Sequence, residues 1–178
     1  MKADYEIRQE TEKDYPQVFK LVEEAFRDMK ESDHREQFLV ERLRHSPAFV
    51  PELSLVADGD GGVVGYGLMT RVSIRSGILD AESLALAPVA VRPDRQSMGI
   101  GSALTRELHA RAARLGYKSA VVLGHEGFYP RFGYRKASDY GITFPFEVPS
   151  ECCMAVELVA IGLRDIRGVV CYPEAFME

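Results

Sequence analysis

The stretch Val89-Ala90-Val91-Arg92-Pro93-Asp94-Arg95-Gln96-Ser97-Met98-Gly99-Ile100-Gly101-Ser102-Ala103-Leu104 joins three signals. An apolar strand ends at Val91, a short loop follows, and glycines stand where an amphipathic helix begins. Ile100, Leu104, Leu108, Ala112 and Leu115 form one stripe of that helix, with Gly116 just past its end. The first amides of a helix lack partners within it, and the macrodipole adds roughly half a positive charge there. Gly99 and Gly101 remove side chains that would hold an anion off. The amides of residues 98–102 therefore form a candidate backbone cradle for phosphate.

Two other phosphate motifs fail. A Walker loop needs Gly-Lys-Ser/Thr, which is absent. A dinucleotide fingerprint needs a third glycine where Leu104 stands, and an acidic residue after the next strand, where Gly124-His125 follows Leu123. Charge is uneven: residues 1–60 carry 9 Lys/Arg against 15 Asp/Glu, whereas residues 92–118 carry six basic residues against two acidic ones. A non-specific nucleic-acid binder carries a broad basic excess, so no nucleic-acid partner is expected. A local basic segment in a chain of net charge −5 suits a compact anion, with a solvated helix face as the plain alternative.

Working outward, residues 5–8 alternate as a first strand. Thr11 reads as an N-cap, with Asp14 where a capping box places Glu or Gln. Pro16, Val18, Phe19, Val22 and Phe26 follow at helical spacing, and a second helix is expected over 33–44, with Phe38, Leu39 and Leu43 as its apolar face. A strand at 53–57, a turn at 58–62 and a strand at 63–74 form a hairpin. Gly65 and Gly67 mark close packing or a bulge, and Pro88 within the strand at 83–91 marks an edge, a bulge or a place where pairing opens. Strands at 119–123, 154–159 and 169–172 complete a single mixed α/β (α+β) domain over 1–178, with helices on both faces of one sheet.

With 46% hydrophobic and 28% charged residues, the chain has material for a full core, which excludes a disordered or disulfide-rich scaffold. No apolar run approaches the roughly 18 residues of a membrane span. The start, Met1-Lys2-Ala3-Asp4-Tyr5-Glu6, lacks a signal peptide's apolar core. Cys152, Cys153 and Cys171 are odd in number and two are adjacent, which favours a reducing compartment. Cytoplasmic location is expected, without membrane contact. The four histidines and three cysteines show no metal-ligand spacing, so no metal is expected.

Residues 96–101 read Q-x-x-G-x-G, which resembles the acetyl-CoA pyrophosphate loop of the GNAT superfamily of N-acetyltransferases. Phe128-Tyr129-Pro130-Arg131-Phe132-Gly133-Tyr134 is similar to that family's Y-x-x-x-G-F/Y signature, and the order of elements matches end to end. Ser97 replaces a common glycine, and His125 and Glu126 stand near where the family usually has asparagine. The resemblance implies a mostly antiparallel mixed sheet, splayed between the strand ending near Val91 and the strand starting near Ser119. It implies acetyl-CoA as co-substrate, with contacts from Val89, Ala90, Val91, Gln96, Ser97, Met98, Gly99, Ile100, Gly101 and Ser102, the pantetheine arm pairing with strand backbone. Arg92 or Arg95 would reach the phosphates. Phe128, Phe132 and Tyr134 are expected in the core.

The implied reaction is direct attack of a neutral primary amine on the thioester in a ternary complex, with Tyr129 as general acid. A tyrosine near pKa 10 gives a proton to a thiolate near 8.5 only uphill by about 2 kcal/mol, so hydrogen bonding to the developing thiolate is the expected role. Glu82 is a candidate base, an exposed strand carboxylate being its plain alternative; Glu126 and His125 are further alternatives. The resemblance places the first two helices beside the acceptor, where Glu23, Glu24, Asp28, Glu31, Asp33 and Glu36 suit capture of a cationic amine, or simply a solvated face. Phe26 would wall the pocket or join the core. A homodimer is left open. Rival readings are a non-catalytic acyl-CoA sensor or interaction module, and a transferase of longer acyl chains.

Overall fold

The computed structural model describes residues 4–178; Met1–Ala3, on which the leader reading partly rests, lie outside the described residues. The strands are β1 (Tyr5–Gln9), β2 (Phe49–Gly59), β3 (Gly62–Ser76), β4 (Leu79–Val91), β5 (Ser119–Leu123), β6 (Arg135–Lys136), β7 (Ile142–Thr143), β8 (Cys153–Glu157) and β9 (Gly168–Cys171). The α-helices are α1 (Tyr15–Phe26), α2 (Glu36–Arg44) and α3 (Ile100–Arg114). The sheet runs β1-β2-β3-β4-β5-β8-β6, with β9 pairing β3 and β7. Its pairs are antiparallel except β4–β5 and β7–β9.

Period-two alternation distributes the core. Leu55 and Ala57 face α3 with Ile100, Leu104, Leu108 and Ala112, and Val64, the extra residue where the β2–β3 register shifts, joins the same cluster out of phase. Val56, Tyr66, Leu68 and Ala90 face the opposite layer, with Val18, Leu21 and Val22 of α1 and Val40 and Leu43 of α2. Gly65 and Gly67 are the seat of α3: an added Cβ would fall 2.8 Å from Ile100 Cγ2 at the first and 2.8 Å from Leu108 Cδ1 at the second. No helix among the described residues is long and apolar enough to cross a membrane.

The capping box expected at Thr11 is present, on a short helical turn, Glu12–Asp14, that leads into α1. Asp14 serves there because its carboxylate accepts the Thr11 N–H at 2.8 Å and the Arg8 guanidinium at 2.8 and 2.9 Å. The second helix starts at Glu36, not Asp33, and buries Gln37, Val40 and Leu43, leaving Phe38 41% exposed. The cause is a polar network. Arg44 on α2 donates to both oxygens of Glu10 at 3.1 and 2.6 Å, Ser54 Oγ donates to Glu10 at 2.7 Å, and Ser54 meets Tyr66 Oη at 2.8 Å. That buried pair fixes which face of α2 meets the sheet.

The sheet opens in the middle. β4 and β5 pair only at Leu84–Ala120 and Ala85–Val121, although β4 continues to Val91 and β5 to Leu123. The register of β3 against β4 shifts between Gly67 and Met69, opposite the Ala87-Pro88 step. Pro88 thus stands at a bulge, and cross-strand pairing to β5 has already ended there.

Candidate functional site

The loop after β4 is held by its own side chains. Gln96 Nε2 donates to the Val91 carbonyl at 3.1 Å, replacing a partner that the strand has run out of. Ser97 (φ 63°) and Gly99 (φ 86°) then turn the chain into α3. An added Cβ at Gly99 would meet nothing within 4 Å, so glycine is needed there for its left-handed backbone. The first bond of α3 is donated by Ala103 N–H to the Gly99 carbonyl at 3.0 Å. The amides of Ile100, Gly101 and Ser102 lie ahead of it, at the positive end of a 15-residue helix.

These amides open on a cleft of about 790 Å³, a size suited to a small ligand. The loop and α3 contribute Gln96, Ser97, Gly99, Ile100, Gly101 and Ser102. β4 contributes Val89, Ala90, Val91 and Pro88, the stretch that has no β5 partner. The segment after β5 adds Gly124, His125, Phe128, Tyr129 and Arg131, and the α1–α2 layer adds Phe26, Met29, Glu36 and Leu39. Of the co-substrate positions expected from sequence, Met98 alone does not line the cleft; its side chain is exposed. Arg95 lines it and pairs with Asp4 at 2.7 Å, whereas Arg92 is outside, bound to Asp94 at 2.6 Å.

Tyr129 opens a short helical turn, Tyr129–Phe132. The His125 carbonyl accepts from Phe128 N–H at 3.1 Å and Tyr129 N–H at 3.4 Å, and His125 Nδ1 accepts from Gly127 N–H at 2.9 Å. His125 thus supplies the turn's bonding where the family commonly has asparagine. Arg131, which sequence reasoning passed over, donates to the Phe128 and Gly127 carbonyls at 2.8 and 3.1 Å and covers the Phe128 ring. Phe128 and Tyr129 meet edge-to-face at 5.0 Å, and Tyr129 and Tyr134 at 5.7 Å. Tyr134 is buried, as expected; Phe128 is half-buried and also walls the cleft.

Burial without a compensating charge pushes the Tyr129 hydroxyl up to about 12. Beneath it, His109 Nε2 and Tyr134 Oη are 2.9 Å apart, and burial lowers His109 to about 4. Tyr129 is therefore a neutral donor, and His109 a neutral imidazole, around pH 7.

Glu82 stands elsewhere. It is exposed and lines a separate groove of about 550 Å³ with Arg71, Arg75, Asp80 and Cys171. It precedes Leu86, which lines the cleft, by four residues, roughly 13 Å along a strand. That distance argues against a base at Glu82. Of the six early carboxylates, Glu36 alone lines the cleft among the described residues. Phe26 does both things expected of it, walling the cleft and packing on the α1–α2 core.

The comparisons with known proteins fit this geometry. The acetyltransferase (GNAT) domain family model matches residues 6–137. The chain is 37% identical over 141 residues to the uncharacterized N-acetyltransferase YjhQ of Escherichia coli K12, covering 76% of this chain and 75% of YjhQ. The structure of Escherichia coli YhbS in complex with CoA aligns with a TM-score of 0.88 at 27% identity, covering 100% of this chain and 94% of that one. A Brucella melitensis GNAT family acetyltransferase in complex with acetyl-CoA aligns at 0.79 with 32% identity, covering 97% of each chain. With the family's domain spanning most of the sequence and its fold reproduced from end to end, the chain belongs to the GNAT family of acetyltransferases.

Proposed function

We propose that the chain transfers acetyl from acetyl-CoA to a primary amine by direct attack in a ternary complex. One observation carries this reading: a single cleft joins the open N-terminus of α3, the unpartnered end of β4 and Tyr129. The relatives solved with CoA and acetyl-CoA support the same donor here. In this reading the pyrophosphate lies against the amides at Ile100, Gly101 and Ser102, and the pantetheine amides pair with the free edge of β4.

The neutral amine attacks the thioester carbonyl carbon, the C–S bond breaks, coenzyme A leaves as thiolate, and the amine's proton passes to solvent. Moving the Tyr129 proton fully from about 12 to a thiolate near 8.5 would cost about 5 kcal/mol. Tyr129 therefore acts as a hydrogen-bond donor to the sulfur as charge develops.

The test is acetyl-CoA with a broad panel of amines, following free thiol. Tyr129→Phe is expected to lower kcat by about 10²-fold, with the acetyl-CoA KM within about threefold. Wild-type kcat in the variant removes Tyr129 from the mechanism. Tight acetyl-CoA binding without turnover on any amine replaces the transferase with an acyl-CoA sensor.

A further inference from the structure

The α1–α2 wall of the cleft is apolar, with Ala25, Phe26, Met29 and Leu39, except for one carboxylate. Glu36 lines the cleft from the first turn of α2. Its Oε1 accepts the Ser32 hydroxyl, and its Oε2 is buried with no hydrogen-bond partner among the described residues. A carboxylate oxygen stripped of water and left unpaired is costly, and a cation is the partner that offsets most of that cost.

The arginines of the cleft, and Arg35 next to Glu36 in sequence, have other partners. Arg95 pairs with Asp4, Arg131 with the Phe128 and Gly127 carbonyls, and Arg35 lies over the Phe38 ring at 5.8 Å. His34 sits on the same α1–α2 connection and bonds the Phe26 carbonyl through Nδ1 at 3.0 Å. Glu36 thus stands on an otherwise apolar wall with no ion-pair partner among the described residues.

From this we infer that Glu36 binds the ammonium group of the acceptor, and that the acceptor is a primary amine on an apolar body that carries no carboxylate beside the amine. The inference rests on the transferase reading above and names the substrate class of that site. Glu36 captures the amine in its charged form; a carboxylate contact raises the amine's pKa, so the residue favours binding and not deprotonation. A carboxylate next to the amine, as in an α-amino acid, would meet both like charge and an apolar wall with no donor for it.

The test compares 2-phenylethylamine with phenylalanine, which differ by that carboxylate, in the thiol-release assay at saturating acetyl-CoA. The wild type is expected to favour the amine in kcat/KM by about tenfold or more. Glu36→Gln is near in shape and retains an oxygen for Ser32. It is expected to raise the KM for 2-phenylethylamine about tenfold, leave the acetyl-CoA KM within about twofold, and shrink the preference over phenylalanine. Glu36→Asp, which keeps the charge, is expected to retain that preference even where its reach raises KM. An amine KM in Glu36→Gln within about twofold of wild type, or a wild-type preference for phenylalanine, overturns the inference alone. Thermal stabilisation by acetyl-CoA with no transfer to any amine overturns the transferase reading and the inference with it.

Discussion

Acidification should loosen the floor of the site through one residue. His109 on α3 contacts Tyr134 by its Nε2 and stacks edge-on against Phe132, with ring centroids 6.5 Å apart. Burial is the cause of its fall from 6.5 to about 4. The unfolded chain binds a proton on this ring at higher pH than the folded chain does. Stability is therefore complete above about pH 6.5 and declines as pH falls toward 4. Two and a half pKa units amount to about 3 kcal/mol over the whole window, and to about 2 kcal/mol by pH 5. For a chain of this length, 2 kcal/mol lowers Tm by roughly 4–8 °C. Asp14, held down to about 2 by the Arg8 guanidinium, adds its own loss only below about 3.8, outside this window. Urea unfolding of wild type and His109→Gln between about pH 8 and 5 measures the term. The wild type should lose about 2 kcal/mol more than the variant. Equal pH slopes in the two proteins would refute the account.

Other perturbations address the same frame. Gly124→Ala places a Cβ 2.7 Å from Tyr129 Cδ2, so the ring must shift; kcat should fall at least about tenfold with little change in acetyl-CoA KM, and wild-type kcat would show that Tyr129 tolerates displacement. Glu10→Gln leaves the Arg44 guanidinium, whose side chain is only 6% exposed, without its counter-charge; denaturant titration should register a loss of about 3–5 kcal/mol.

Much of this architecture is legible where local chemistry and tertiary packing agree. The α3 stripe carries full periodicity and β5 is a continuous apolar run, and both begin where the sequence places them, at Ile100 and Ser119. Gly116 closes α3 as expected: Tyr117 N–H reaches the Ala112 carbonyl at 3.0 Å and Gly116 N–H the Ala113 carbonyl at 3.1 Å, a Schellman arrangement. The face of α2 is legible in part: Leu43 is buried and Leu39 packs on the α1–α2 core as hydrophobicity alone favours, but Phe38 stays exposed on a helix whose buried side also carries Arg44, which meets Glu10 across 34 positions. β6 and β7, at two residues each, are too short to show alternation. The β3–β4 hairpin is hidden by Ile78 and Leu79, large apolar residues that turn out to be exposed at its tip. At the site, the proposed phosphate cradle is marked by glycines, but Glu36 looks like any other acid in an acidic segment. Only its missing partner and its place in the cleft set it apart.

The opening between β4 and β5 is the feature that ties fold to chemistry. Sheets rarely leave interior strands unpaired, because free N–H and C=O groups are costly when buried and invite foreign strands when exposed. Here pairing stops after two residues on each strand, yet both strands continue, β4 held by β3 and β5 by β8. Pro88 cannot donate to a ladder, and the bulge it occupies re-aims the residues after it. The cleft thus has a row of backbone groups along β4 and a helix N-terminus at its end. A ligand with amides in its stem and phosphates at one end satisfies both, and a nucleotide alone satisfies only the second. On that ground a pantetheine thioester is the occupant this gap favours, and filling Pro88 with a residue able to extend the β4–β5 ladder would stabilise the empty protein at the cost of its substrate.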